Sequence, residues 1–186
     1  MTDERVERAF RQHPHFERTG DGEFETSEKP FENVVTVADA DEGSHRYEVV
    51  ARTPMLDAVV EGETVADVVE DGWFETLELR LEDTHTVADA DAAPPEIERE
   101  GDEAVATVEF ESADPEQAVE DALAIAEFVE GTWVQGIIPG YEYREPAAGL
   151  RERAQQNYDE NGVEGAEGAG GPGSASGPGD AGGPPR

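Results

Sequence analysis

Apolar residues recur at two periods along the chain up to about residue 160, and each period predicts a different element. Asp3 to Gln12 places Val6, Ala9, Phe10 and His13 on one face at helical spacing, and Pro14 stops the helix. Short extended pieces follow near His15 to Arg18 and Glu23 to Thr26. Phe31 to Ala38 and His45 to Arg52 alternate as strands, joined by the acidic loop ADADEGS. Thr64 opens a second helix, with Asp67 in a capping-box position. Val65, Val69, Trp73, Leu77 and Leu81 recur at every fourth residue along it, while Gly72 weakens its middle by about 1 kcal/mol relative to Ala.

Thr84 to Ala88 reads as a further strand. Pro95 to Glu100 and Glu103 to Phe110 form a hairpin turned at Gly101-Asp102, with Ala104, Ala106, Val108 and Phe110 facing inward. Asp114 caps a third helix, Pro115 sits where a helix best tolerates it, and Gln117 holds the third position. Leu123, Ala126 and Val129 line one side of that helix; Ile125 and Phe128 line another. The order α-β-β-β-α-β-β-α predicts an α+β fold, an antiparallel sheet packed by helices. TVADAD occurs twice, at Thr36 to Asp41 and Thr86 to Asp91, but the flanks differ and a repeat of this composition arises easily.

The pattern ends near residue 158. From Asn161 to Arg186 the chain holds ten Gly and four Pro, and Val163 is its only apolar side chain larger than Ala. Such a segment buries too little surface to offset chain entropy, so 159–186 reads as a disordered acidic Gly/Pro-rich tail and 1–158 as one domain. Two G-x-G-x-x-G matches in the tail, Gly168-Gly170-Gly173 and Gly177-Gly179-Gly182, lack the flanking strand and helix a dinucleotide site needs.

Charge narrows the partners. Asp and Glu number 46 against 13 Lys and Arg, a formal charge of -33, and Lys29 is the only lysine. A surface this negative repels phosphate backbones and anionic membranes, so neither nucleic acid nor membrane is an expected partner. The periodic body argues against disorder, which leaves adaptation to concentrated salt: at about 1 M the screening length falls to about 3 Å and carboxylate repulsion largely vanishes. The absence of Cys excludes disulfides and thiolate chemistry. With no long apolar run and no basic-then-apolar N-terminus, a cytoplasmic location is expected.

Carboxylates are too common here for a pair of them to indicate catalysis. Asp39 and Asp41 lack the register of an EF-hand loop, and Lys29 lacks the glycines of a P-loop. Ser27, Ser44 and Ser112 stand outside any nucleophile elbow, and no H-E-x-x-H occurs. His13 and His15, with Glu17 nearby, offer two imidazoles to a metal, but Pro14 turns the chain between them. No catalytic residue, metal site or cofactor is therefore expected.

Gly131 to Tyr141 (GTWVQGIIPGY) runs eleven residues without a charge in a chain that is 32% charged. It carries Trp133, Ile137, Ile138 and Tyr141, with Tyr143 just beyond, and Pro139-Gly140 reads as a type II turn. One account makes this segment a plug that closes the core. The other makes Trp133, Ile137, Ile138, Pro139, Gly140, Tyr141 and Tyr143 a partner or ligand surface. Trp73, on a helical stripe, is expected in the core.

EDGWFETLELRLED (Glu70 to Asp83) and EFVEGTWVQGIIPGYEYREP (Glu127 to Pro146) resemble the hallmark stretches of a haloarchaeal family known only as a domain of unknown function, DUF5813. The resemblance runs from the N-terminal helix to about Arg153. It implies a halophilic archaeal source and no assigned activity. The element order also resembles the type III secretion chaperone-like fold, whose members dimerise around partner proteins, a likeness of fold without a shared motif. The expectation is a non-enzymatic protein-binding or chaperone-like module, acting on a protein partner or on itself as a homodimer. The alternative is a small-molecule-binding domain or enzyme with a pocket around Trp133 and Tyr141.

Overall fold

The structure, a computed structural model, describes the backbone of residues 2–164 and the side chains through Tyr158. Its elements are α1 (Glu4–Gln12), β1 (Phe16–Gly20), β2 (Glu23–Thr26), β3 (Glu32–Asp39), β4 (His45–Pro54), α2 (Leu56–Val59), α3 (Asp67–Leu81), β5 (Glu96–Glu100), β6 (Glu103–Ser112), α4 (Pro115–Gln135) and α5 (Ala147–Glu164). The fold is α+β. Six strands form one sheet in the order β1-β2-β3-β4-β6-β5, with every neighbouring pair antiparallel.

Alternation along β4 explains how the layers meet. His45, Tyr47, Val49, Ala51 and Thr53 are buried beneath the helices, while Arg46, Glu48, Val50 and Arg52 point to the open face of the sheet. Asp114 accepts the N–H groups of Glu116 and Gln117, and Pro115 follows it, so α4 starts where the sequence places it. This helix packs on β4 and β6 and touches α1, α3 and α5, which is why it is apolar around much of its girth. One core cluster joins α1 and β1–β3 to the first half of α4; the other joins α2, α3 and the start of α5 to its second half. The hairpin turns in two residues, with Gly101 at φ +60° in the position that favours glycine.

Four expectations need correction. The element order contains a fourth strand before the first central helix, the short α2, and α5 after α4. The second helix begins at Asp67, not Thr64: Asp57 Oδ1 takes the Val65 N–H at 2.7 Å, and Ala66 stands at the N-cap without a side-chain bond. Glu70, not Val69, completes the buried stripe with Trp73, Leu77 and Leu81. Glu70 accepts the Asp57 N–H at 3.0 Å and pairs with Arg99 at 2.9 Å, tying α2, α3 and β5 together.

Thr84 to Ala88 is not a strand. Thr84–Val87 is a 3₁₀ turn, because the side chains of Thr84, His85 and Thr86 reach back to the carbonyls of Leu81, Glu82 and Asp83. The two TVADAD copies accordingly differ in structure. The first ends β3, whereas in the second the Asp89 and Ala90 N–H groups donate to the buried Asp121 carboxylate at 2.9 and 3.1 Å. Helix α5 continues through the boundary placed at 158 to Glu164, and the rest of the tail, 165–186, lies outside the described residues.

Candidate functional site

The uncharged run does not form one loop. Its first five residues are the last turns of α4, and Gly136 caps that helix, donating its N–H to the Thr132 and Trp133 carbonyls at 3.2 and 2.9 Å. Trp73 Nε1 donates to the Gly136 carbonyl at 2.9 Å. A Cβ at Gly136 would stand 3.2 Å from the Trp133 oxygen and 3.3 Å from Trp73 Nε1, so glycine lets the indole close on the helix end.

Trp133 is 1% exposed and donates Nε1–H to the Pro54 carbonyl at 2.9 Å. Phe31 and Trp73 meet its ring edge-on, with centroids 5.0 and 6.4 Å away. Tyr143 is also buried: its hydroxyl donates to the Ile138 carbonyl at 2.6 Å and accepts the Ile138 N–H at 3.1 Å. That clamp holds the Pro139-Gly140 turn, where Gly140 takes φ +104°. Burial raises the Tyr143 phenol pKa, against the opposing pull of its backbone bond and of Arg151. A bridge between Val60 and Tyr143, flanked by the Glu61 to Glu142 and Arg144 to Val59 backbone bonds, ties the segment to the end of α2.

Trp133 and Tyr143 thus belong to the core. Ile137, Ile138 and Tyr141 are half-buried, and Pro139 and Gly140 are exposed. Ile137, Ile138 and Pro139 border two hollows, whereas Gly140 and Tyr141 line neither. The larger, about 520 Å³, lies between α5 and the end of α4. One wall is Val134, Ile137 and Pro139; the other is Arg151, Ala154, Gln155 and Tyr158, at the i, i+3, i+4, i+7 spacing of one helix stripe. Ala147 and Leu150 seat the first turn of α5 in the core, but residues 152–158 are all exposed, so the helix leaves the body and opens the groove beside it. Tyr158 is 81% exposed. The smaller hollow, about 280 Å³, lies across the end of α4 and takes in Gly72, Thr76, Arg80, Gln135 and Ile138.

The arginines of β4 and β5 are paired with carboxylates. Arg46 pairs with Glu111, Arg52 with Glu100 and Glu103, and Arg99 with Glu70 and Asp71. Arg80, Arg144 and Arg151 instead donate to the carbonyls of Gln135, Val60 and Tyr141, at 3.4, 2.9 and 3.4 Å. Arg151 also sits 5.9 Å from the centre of the Tyr143 ring. Among the described residues, no carboxylate lies within ion-pair distance of these three. Arg151, Ala154, Gln155 and Tyr158 escape the sequence reading because no helix is expected there. The available signal is the spacing of Ala147, Leu150, Arg151, Ala154 and Tyr158.

Other candidates do not assemble. His13 Nδ1 accepts the His15 N–H at 3.3 Å, and its Nε2 faces Glu120 at 3.3 Å, so both ring nitrogens are engaged within the fold. Among the described residues no group of three or more His, Asp or Glu is arranged to hold a metal ion, and no helix is long and apolar enough to cross a membrane. His45 Nε2 stands 3.8 Å from both Asp3 and Asp39, while its Nδ1 and the nearby Tyr47 hydroxyl are buried without hydrogen-bond partners among the described residues. Burial, and secondarily the charges of Asp114 and Asp3, push the Tyr47 phenol pKa well above its ordinary value.

No curated protein and no solved structure matches the chain. The match to a family model spans the end of α1, the whole sheet, the Pro139-Gly140 turn and α5 as far as Arg153, leaving Ala154, Gln155 and Tyr158 beyond it. Residues 11–153 match the model of DUF5813, a family of unknown function, and the chain belongs to that family.

Proposed function

We propose that this chain is a non-enzymatic protein-binding module of a salt-rich haloarchaeal cytoplasm, and that it receives a helical segment of a partner protein in the groove between α4 and α5. The carrying observation is the groove itself: an apolar wall of Val134, Ile137 and Pro139 faces a helix stripe that ends in the exposed Tyr158. Exposed apolar clefts on charged proteins mark interaction sites, and a cleft walled by a helix suits a second helix. The residues that border it overlap the segment singled out by its lack of charge, but Trp133 and Tyr143 belong to the core and do not line it. A chaperone-like role, by analogy with type III secretion chaperones, fits a module that holds partner segments; that analogy is one of fold alone. A charge of -33 argues against nucleic acid and anionic membranes as partners.

The test is selection of binders from a random peptide library in about 3 M KCl, followed by NMR mapping. Selected peptides should shift Val134, Ile137 and Tyr158 and leave Val50 on the open sheet face unmoved, and Tyr158→Ser should release them. Failure to select any peptide, or mapping to another face, overturns the reading. Light scattering in the same salt covers the remaining occupant: a dimer dissolved by Tyr158→Ser would assign the groove to a second copy instead.

A further inference from the structure

We infer that the segment received by the groove is an acidic amphipathic helix, whose apolar stripe rests on Val134, Ile137 and Tyr158 and whose carboxylates are taken by Arg151 and Arg80. This rests on the protein-binding reading and adds the chemistry of the partner. The argument is charge complementarity. Three other hollows are each lined by Asp or Glu: Asp114 and Glu116 beside Arg5 and Arg8 in one, Asp91, Glu109 and Glu111 beside Arg46 in another, Asp21 and Asp39 in a third. The two hollows at the end of α4 have no carboxylate among their lining residues, although about one residue in four of the chain is acidic. Each holds one arginine, Arg151 in the larger and Arg80 in the smaller.

Among the described residues, neither guanidinium has a carboxylate within ion-pair distance. Each gives a single long N–H bond of 3.4 Å to a backbone carbonyl, out of the five donors an arginine carries. A cation that only capped the carbonyls at the end of α4 would explain Arg80 but not Arg151, whose acceptor, Tyr141, lies in the loop. Molar salt removes long-range attraction but leaves contact pairs, and the planar guanidinium grips a carboxylate through two parallel bonds. At contact range an acidic partner meets guanidinium groups here instead of the carboxylates that line the three other hollows, so these arginines supply both affinity and selectivity.

Three fluorescein-labelled peptides of about 18 residues, long enough for a helix to form, share a Leu/Phe stripe and differ only in flanks of Glu, Gln or Lys. Anisotropy on the full chain in about 2 M KCl should show the Glu peptide binding about tenfold tighter than the Gln peptide, with the Lys peptide weakest. Arg151→Gln should erase the Glu-over-Gln preference and Arg151→Lys should keep part of it. Arg80→Gln, in a separate hollow, gives a second reading should Arg151→Gln lower the unfolding midpoint. Equal binding of the Glu and Gln peptides, or a preference that survives both Gln variants, overturns the acidic partner. If Tyr158→Ser then still weakens the Glu and Gln peptides alike, the groove reading stands without it. Failure of all three peptides to bind overturns both.

Discussion

Replacing Trp133 by Ala separates core from surface in the uncharged segment. The side chain is 1% exposed, wedged between Phe31 and Trp73, and bonded to the Pro54 carbonyl. Truncating a buried aromatic ring costs about 3–5 kcal/mol through lost transfer and the cavity left behind. Loss of the indole N–H bond adds about 1 kcal/mol. The sum, about 4–6 kcal/mol, approaches the whole stability of a typical domain, about 5–15 kcal/mol. Urea unfolding in about 3 M KCl, followed by far-UV and near-UV circular dichroism, should therefore show a destabilised or unfolded protein. Trp133→Phe keeps a ring against Phe31 and Trp73 and should lose only about 1–2 kcal/mol. Tyr158→Ser, at an exposed site, should stay within about 0.5 kcal/mol of the parent. An unfolding free energy for Trp133→Ala within about 1 kcal/mol of the parent would refute the placement of this ring in the core.

Three further outcomes follow from particular residues. Gly72→Ala should stabilise the protein by about 1 kcal/mol, because Gly72 is exposed within α3 and an added Cβ meets nothing within 4 Å; a lower urea midpoint would show the position needs glycine. Tyr47 holds its proton in the folded state at pH values where the unfolded chain releases it, so its contribution is intact below about pH 10 and is lost as pH rises further. Tyr47→Phe removes a buried hydroxyl without a hydrogen-bond partner among the described residues and should equal or exceed the parent in stability, with a shallower decline above pH 10. A clear loss of stability would show that the hydroxyl is bonded. Diluting KCl from about 3 M to 0.1 M lengthens screening to about 10 Å and should expand or unfold the body, measured as Stokes radius and melting midpoint; no change would mean the -33 charge is not a salt adaptation.

The sheet was legible wherever one face is wet. β4 alternates buried residues with half-buried or exposed ones along its whole length, and the hairpin of β5 and β6 announces itself through Gly101. The α3 stripe was half legible, for a geometric reason. A repeat of four residues overruns a turn of 3.6 by about 40°, so five residues at that spacing wander about 160° around the helix. Val69 drifts to 36% exposure, and the buried face resumes at Glu70 and Trp73. A buried glutamate cannot be inferred from hydrophobicity, since its partners, the Asp57 N–H and Arg99, come from α2 and β5. The Thr84 to Ala88 error has the opposite origin: β-branched residues favour strands, but threonine hydroxyls also bond carbonyls one turn back.

The candidate site was legible as a composition and illegible as a surface. Absence of charge marked Gly131 to Tyr141, yet a charge-free stretch in an acidic chain is what both a core plug and a binding patch look like. The structure divides it by direction along α4: Trp133 turns in to Phe31, while Val134 turns out to the groove. The wall opposite is supplied by α5, whose exposed residues after Arg151 carry little hydrophobic signal. Helix formation there has little tertiary packing to support it, since Ala147 and Leu150 are its only buried residues through Tyr158, and an isolated helix of this length is marginal in water. A partner laid against Arg151, Ala154 and Tyr158 would supply the missing packing. Occupancy of the groove should therefore slow amide hydrogen exchange along 152–158 beyond the slowing seen in α4, and unchanged exchange there would place the bound peptide somewhere other than against α5.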